Sequence, residues 1–123
     1  MRQIVKAFKA LSDETKLRVL NILLERECCV CEVMQVLDIS QSRASRHLSS
    51  LYDAGFLKLR KDGLWSFYSI DEEGMADYLI ELTDAVRKAL ESNKTAALDK
   101  ERLKKAQRVG ARCLRDSNQM ALS

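Results

Sequence analysis

The chain has 123 residues, of which 46% are hydrophobic and 32% charged, and its formal net charge is +3. This length and composition are typical of a single globular domain with a modest core. No apolar run approaches the roughly 18 residues of a membrane helix, and the N-terminus lacks the apolar core of a signal peptide. We therefore expect a cytoplasmic protein with no membrane partner.

Charge is distributed unevenly along the chain. Residues 94–123 hold eight Lys/Arg and three Asp/Glu, a net +5, so residues 1–93 carry −2 of the total of +3. The larger part is thus not a generic polycation, and any affinity for nucleic acid depends on where its charges lie. We predict a folded domain over residues 1–92 and a basic C-terminal helix or tail over residues 93–123.

Three helices are predicted in the first third of the chain. Apolar spacing indicates a first helix over residues 4–11. Ser12 is expected to cap a second helix, whose first turn carries acidic residues as the helix dipole prefers. That helix is apolar on most sides up to Leu24, so it is predicted to be the central buried helix. A short third helix over residues 31–37 ends in a tight turn.

Residues 40–56 predict a fourth helix, with Ser40 as its N-cap and Gly55 as its stop signal. One side of this helix is apolar at helical spacing. The other side has no Glu or Lys and carries short hydroxyls, an amide and guanidiniums, the groups that bond phosphates and base edges. We predict that this side contacts the major groove of DNA. Its candidate residues are Gln41, Ser42, Arg43, Ser45, Arg46 and His47.

A β-hairpin is predicted after the fourth helix. Residues 57–60 and 64–70 alternate with period two, and the turn between them contains an Asp-Gly pair. Helix, short turn, polar-basic helix and hairpin together make a winged helix-turn-helix. We therefore expect a mainly α (α+β) fold with a two-stranded wing. Arg60 and Lys61, at the tip of the wing, are candidate contacts to the backbone or minor groove of double-stranded DNA.

Two further helices are predicted, over residues 71–90 and 96–114. The first of them has a longer apolar face than covering a small wing requires, which indicates a second copy of the chain as partner. We expect a homodimer that uses this helix and the first helix. The candidate interface residues are Val5, Phe8, Tyr78, Leu79, Leu82, Val86 and Leu90.

The cysteines indicate a metal site. Cys28, Cys29 and Cys31 lie within four residues, and the fourth cysteine of the chain is Cys113. In a cytosolic protein such a cluster favours thiols or metal ligands over disulfides. Backbone N–H groups and the dipole at a helix start stabilise thiolates. An all-thiolate set suits soft ions, and three local sulfurs suit arsenite or antimonite better than zinc, which usually takes four ligands.

The spacing of Cys29 and Cys31 predicts how binding would act. In a regular helix, residues i and i+2 point about 200° apart. Both sulfurs could then bind one ion only if the start of the third helix unwinds, and that helix packs on the DNA-reading helix. Cys28 is the expected third ligand because it needs no ordering of the distant tail, and Cys113 is the alternative.

Three segments of the chain resemble one family: residues 7–20, Cys29-Val30-Cys31-Glu32-Val33, and residues 40–55 leading into the wing. They are similar to the ArsR/SmtB family of bacterial metalloregulators, of the arsenical-repressor type. The resemblance implies a homodimeric transcriptional repressor, not an enzyme, that leaves operator DNA when the toxic ion binds. It also implies Cys29 and Cys31 as ligands, As(III) or Sb(III) as effector, and no organic cofactor. The zinc-sensing branch uses Asp and His on its last helix, and residues 71–91 contain no His.

Other functions remain open at this point. The same thiols would suit a cadmium or lead sensor, or a thiol-redox or sulfide-sensing winged-helix repressor. Cys28 and Cys31 also have the C-x-x-C spacing of thioredoxin-like enzymes. That motif belongs to a βαβ setting, whereas the segments that flank it here are predicted to be helical, so the redox enzyme is disfavoured.

Overall fold

The computed structural model describes residues 1–108. Cys113 lies outside this range. The helix predicted over residues 96–114 begins earlier and is shorter than predicted, since α6 begins at Lys94 and ends at Lys105. No helix in residues 1–108 is long and apolar enough to cross a membrane. Within the described range, the helices are α1 (Arg2–Ala10), α2 (Glu14–Glu25), α3 (Val30–Leu37), α4 (Gln41–Asp53), α5 (Asp77–Ala89) and α6 (Lys94–Lys105), and the strands are β1 (Cys28–Cys29), β2 (Leu57–Asp62) and β3 (Trp65–Ile70).

The predicted winged helix-turn-helix is confirmed, but the prediction of a two-stranded wing is wrong. The sheet has three antiparallel strands in the order β1-β3-β2. The predicted hairpin is formed by β2 and β3, and β1 adds a third strand to the wing by pairing with β3, so that Cys28 faces Tyr68 and Cys29 faces Phe67. A strand of two residues is too short to show an alternating pattern, so the cysteine run resembles the start of a helix.

The turn and ends of the helix-turn-helix follow the predicted local chemistry. Asp38 adopts the left-handed conformation, with φ of 54°, and turns the chain after α3. Ser40 caps α4, since its Oγ accepts a hydrogen bond of 3.2 Å from the backbone N–H of Arg43. Gly55 follows α4 with φ of +96°, a conformation that side chains rarely adopt. The cap and the stop signal are therefore confirmed.

Two helices begin later than predicted, and in both cases an acidic side chain binds the backbone near the start. The Asp13 carboxylate, and not Ser12, caps α2 by accepting a 2.8 Å hydrogen bond from the Lys16 N–H. The Asp71 carboxylate accepts a 3.1 Å hydrogen bond from the Gly74 N–H, and α5 begins only after this turn. Asp and Ser favour such local hydrogen bonds over a place inside a helix.

Helix α6 packs on α2 and α3. Its Leu103 is buried in the same core as those helices. Asp99, 1% exposed, accepts two hydrogen bonds of 2.8 and 2.9 Å from the Arg18 guanidinium on α2. The α6 segment of the predicted tail is thus docked on the folded domain. Central core residues are Val19, Leu20, Ile22, Val33, Val36, Leu48, Leu51 and Phe56.

Glu32 organises the start of α3. Its Oε1 accepts a 3.0 Å hydrogen bond from the Cys29 N–H and a 2.9 Å bond from Arg108 Nε, and its Oε2 pairs with Arg26. Its side chain is only 1% exposed. Burial alone would raise its pKa, but the hydrogen bonds from Cys29, Arg108 and Arg26 outweigh burial and lower it. Glu32 is therefore an ionised carboxylate that joins β1, α3 and the end of the described chain.

Replacing Glu32 by Gln should lower the free energy of unfolding by about 1–3 kcal/mol, since charged hydrogen bonds are lost in a buried place. A larger loss is not expected, because Arg26 and Arg108 are 37% exposed and can be rehydrated. Urea unfolding at neutral pH measures the change. The folded-state pKa is lowered, so this contribution is present above the unfolded pKa and disappears as the pH falls through the folded pKa.

The matched control is Glu101→Gln, which removes an exposed pair with Lys104 on α6. Surface pairs of this kind contribute about 0–1 kcal/mol. Equal losses in the two variants would contradict the role given to Glu32.

Candidate metal-binding site and nucleic-acid interface

The strand β1 separates the clustered cysteines. Successive side chains of a strand point to opposite faces of its sheet. Cys28 is accordingly fully buried in the main core, while Cys29 packs with Cys31 and Phe67 in a second, smaller buried cluster against Trp65. We call this second group, Cys29, Cys31, Phe67 and Trp65, the thiol–aromatic cluster. Two of the three neighbouring cysteines, and not all three, therefore share one environment.

The expectation that Cys29 and Cys31 stand in one helical turn is wrong. Cys29 is the N-cap of α3, with extended φ and ψ of −88° and 168°, and Cys31 lies in the first turn. The argument from the 200° angle within a helix does not apply to an extended residue. Within residues 1–108, no group of three His, Cys, Asp or Glu side chains is placed to hold a metal ion. A three-sulfur site would thus need a rearrangement or a further ligand.

The sulfurs differ in their bonding. Cys28 and Cys29 are free thiols, whereas Cys31 is disulfide-bonded. The Sγ of Cys31 also accepts a 3.1 Å hydrogen bond from Gln35 Nε2, one turn further along α3. Coordination of an ion by Cys31 therefore requires the reduced protein.

The expected stabilisation of thiolates at the helix start is wrong for Cys29. Burial raises its pKa, the Glu32 carboxylate adds to the rise, and backbone N–H groups offset only part of it. Burial likewise raises the pKa of Cys28 to about 12, again with the Glu32 charge adding to the rise. Both groups are protonated thiols at neutral pH, so desolvation outweighs the dipole at this helix start.

Arginines surround the thiol–aromatic cluster. The guanidinium carbons of Arg60 and Arg108 lie 4.5 and 4.6 Å from the centre of the Phe67 ring. Arg60 also donates hydrogen bonds of 2.8 and 3.2 Å to the Glu27 carboxylate. The wing, the strand β1 and the segment after α6 thus meet at the ring of Phe67.

The segment after α6 lies beside the cysteines. Gln35 exchanges two hydrogen bonds with the backbone of Gln107, of 2.8 and 3.0 Å. Arg108 donates to Glu32 at 2.9 Å and to the Glu27 carbonyl at 3.0 Å. The chain therefore reaches residue 108 at the start of α3.

The sequence does not predict these contacts. By local pattern, Phe67, Trp65 and Glu32 are ordinary wing or helix residues, and the place of Arg108 depends on where α6 docks. Pairing of the cysteine run with β3 would have indicated Phe67, since Cys29 and Phe67 face each other across the two strands. The Cys29-x-x-Glu32 spacing, which resembles a capping box, was the signal for Glu32.

Helix α4 exposes most of the predicted DNA-reading residues. Ser42, Arg43 and Arg46 are exposed, and Gln41 and Ser45 are half-buried. The apolar side of the helix packs inward, with Ala44, Leu48 and Leu51 buried. The predicted division of this helix into an apolar and a polar side is confirmed.

His47 is turned partly away from that surface. Its Nε2 atom is buried, with no hydrogen-bond partner among the described residues. Burial lowers its pKa, and the nearby Asp13 only partly opposes this shift. The ring is therefore neutral at neutral pH and half-buried, which does not favour its predicted contact with DNA.

The wing residues have different environments. Lys61 is exposed. Arg60, whose side chain is 54% exposed, is held by Glu27 through its Nε and one Nη atom. Lys61 is thus free to reach a phosphate, while Arg60 is already oriented by the protein.

The predicted dimer surface is partly exposed. Val5 and Phe8 on α1 are 44% and 56% exposed, and Ile80 on α5 is 36% exposed. Leu79 is 3% exposed and lies in the core, so it is not available to a partner. The remaining candidates on α5, Tyr78, Leu82, Val86 and Leu90, are half-buried.

Comparison with known proteins identifies the family. A model described as a bacterial regulatory protein of the arsR family matches residues 13–64. The arsenical resistance operon repressor of Bacillus subtilis (strain 168) is 33% identical over 82 residues, which cover 66% of this chain and 78% of that protein. The chain belongs to the ArsR family. Members of this family are transcriptional regulators and not enzymes.

Two further similarities refine the comparison. The ArsR-family chain is 44% identical over 71 residues to a cadmium resistance transcriptional regulatory protein, the CadC homolog of Staphylococcus aureus. The match covers 57% of this chain and 59% of that protein. The structure of HlyU from Vibrio cholerae N16961 superposes on this chain with a TM-score of 0.60 and 27% sequence identity. The match covers 72% of this chain and 91% of the HlyU chain. The fold of this chain is thus similar to that of a solved structure over most of that structure's length.

Replacing the exposed Lys61 by Ala should weaken binding to DNA of any sequence. The slope of log affinity against log salt concentration (the salt slope) should decrease in magnitude by about one. Arg43→Ala or Arg46→Ala should cost about 1–3 kcal/mol if that side chain binds a base. Fluorescence anisotropy measures both, on a duplex selected from a random-sequence library.

Lys94→Ala, an exposed lysine at the start of α6, is the matched control and should keep the wild-type slope. A wild-type slope in Lys61→Ala would remove this lysine from the interface.

Sedimentation should show a homodimer at micromolar concentration. Phe8→Glu places a charge in the predicted apolar interface and should shift the protein to monomer. Leu98→Glu is the matched control, because Leu98 on α6 is similarly exposed, at 60%, but lies outside that interface. A wild-type monomer, or equal effects of the two variants, would contradict the predicted dimer.

Proposed function

We propose that this ArsR-family chain is a homodimeric repressor that binds operator DNA in the cytoplasm through α4 and the wing. In this proposal As(III) or Sb(III) binds to Cys29 and Cys31 and releases the DNA. The observation that carries the proposal is the thiol–aromatic cluster, in which two cysteines share one buried site at the start of α3. The cysteines lie directly before the helix that packs on α4.

The protonation of the thiols favours a metalloid over a divalent cation. Arsenous acid is uncharged at neutral pH, and its condensation with thiols, As(OH)3 + 3 RSH → As(SR)3 + 3 H2O, forms water and releases no proton. A divalent cation instead has to displace a proton from each thiol. Because burial raises the pKa of Cys29, this site penalises cadmium or lead more than arsenite.

The third sulfur is better sought at Cys113 than at Cys28. Cys28 lies in the main core, on the opposite face of β1 from Cys29, so its sulfur could join the site only by leaving that core. Arg108 already contacts Glu32 and Phe67. Four residues lie between Arg108 and Cys113, and an extended chain spans about 3.3–3.6 Å per residue. Residue 108 thus lies beside the site, so the loop that would bring Cys113 to it is short and its entropic cost is small.

A change at the cysteines would reach the DNA-binding helix through α3. Cys29 is the cap of α3, and its N–H is bonded to the buried Glu32. The other face of α3 packs on α4 through the main core. Because such cores are close-packed, a shift of α3 has to be accommodated by its neighbours. Sensing is then a coupling between two sites on adjoining helices.

A thiol-redox repressor is the second candidate. The observation that favours it is the disulfide bond of Cys31, because oxidation of this sulfur would itself change the start of α3. The two functions differ in what they respond to: arsenite acts on the reduced protein, whereas an oxidant acts without any metalloid.

Serine substitutions distinguish the ligands. Cys29→Ser and Cys31→Ser should keep DNA binding in the reduced protein, since neither residue lies on α4, and should lose release by arsenite. The expected stoichiometry is one arsenite per subunit. Cys113→Ser should also lose release if the tail supplies the third sulfur, and Cys28→Ser, in the main core, is then the control that still responds.

The opposite result, loss of release in Cys28→Ser but not in Cys113→Ser, would place the third ligand in the core and show that Cys28 leaves it. Release that persists in both Cys29→Ser and Cys31→Ser would contradict the proposed site. If an oxidant alone releases the DNA, and arsenite does not release it under reducing conditions, the result would favour the redox repressor.

A further inference from the structure

One row of side chains crosses the sheet from the cysteines to the wing. Phe67 on β3 is the register partner of Cys29 on β1 and of Arg60 on β2. The three residues therefore share one face of the sheet, with Phe67 in the middle. Towards β1, Phe67 packs with Cys29 and Cys31. Towards β2, the guanidinium carbon of Arg60 lies 4.5 Å from the centre of the Phe67 ring. The contact between the thiols and the wing is thus direct.

Arg60 is held in a defined orientation by this row. Its Nε and one Nη atom donate to Glu27, at 3.2 and 2.8 Å, and its plane rests on Phe67. The other Nη makes neither of these two bonds, and the side chain is 54% exposed. An arginine ordered in advance loses less conformational entropy when it binds a phosphate.

We propose that Phe67 is a positioning residue that couples the thiol site to the wing, by holding Arg60 in the orientation that binds the DNA backbone. The proposal rests on the proposed function of the cysteines. It adds a second route to the one through α3 and α4, and it assigns the wing a part in the response to the effector.

The packing around Phe67 explains why the coupling would be strong. The ring is 6% exposed and stacks on Trp65 with centroids 5.6 Å apart and planes 4° from parallel. Arg108 lies over the same ring at 4.6 Å. A ring enclosed in this way has little room to absorb a change at Cys29 or Cys31, so the change is passed to its neighbours.

The test compares Phe67→Leu with Tyr68→Leu. Tyr68 is the next residue of β3 and belongs to the row of Cys28 and Leu59 on the opposite face. The measured quantity is the ratio of DNA affinities without and with saturating arsenite, in the reduced protein. Arsenite binding to each variant is measured separately by equilibrium dialysis, because Trp65 stacks on Phe67 and its fluorescence would change with the substitution itself.

With each variant saturated with arsenite, the affinity ratio of Phe67→Leu should fall by about three- to tenfold relative to wild type. Tyr68→Leu should keep the wild-type ratio, whatever its affinity for DNA alone. Arsenite should also lower the salt slope of wild type by about one, through the lost Arg60 contact, and should leave the slope of Phe67→Leu unchanged.

Arg60→Lys provides a second variant that leaves the core intact. It keeps the charge but loses the fork that Glu27 orients, so its affinity ratio should fall as in Phe67→Leu. A wild-type ratio in both Phe67→Leu and Arg60→Lys would overturn the coupling through Phe67 and leave the proposed function standing. A wild-type protein that binds no arsenite would overturn the proposed function itself.

Discussion

The pairing of two residues, Cys28 and Cys29, with β3 is the constraint on which the site depends. It gives the cysteine run an extended backbone, and an extended backbone sends neighbouring side chains to opposite faces. Cys28 is therefore buried in the main core, while Cys29 packs with Cys31 and Phe67. The same pairing ends at the N-cap of α3, so the thiols lie where a sheet, a helix and the wing meet.

Two carboxylates, of Glu32 and Glu27, tie this junction together. Glu32 accepts hydrogen bonds from the cap of α3 and from Arg108 after α6, and Glu27 orients Arg60 of the wing. The carboxylate of Glu32 also raises the pKa of Cys29 beyond the effect of burial. Glu32 thus fixes the start of α3, while burial, with the Glu32 charge added, holds the pKa of the Cys29 thiol above its usual range. The protonated thiol is the form that condenses with an uncharged metalloid acid.

The helices and the wing could be predicted because local chemistry specifies them. Ser40, Gly55 and the alternating pattern of the wing act over a few residues, and the structure confirms each of them. The thiol site could be predicted only in part. Cys29 and Cys31 stood out by composition, but their separation from Cys28 depends on a strand that tertiary pairing creates. The docking of Arg108 depends in turn on the contacts of α6, which no local pattern in the sequence reveals.

The most direct measurement is one titration of the reduced wild-type protein with arsenite. Fluorescence of Trp65 reports binding at the thiol–aromatic cluster, and the anisotropy of a labelled, selected duplex reports DNA release in the same sample. The account predicts that both signals change together and reach a common end point at one arsenite per subunit. Binding at the cluster without DNA release, or release without a change at Trp65, would contradict it.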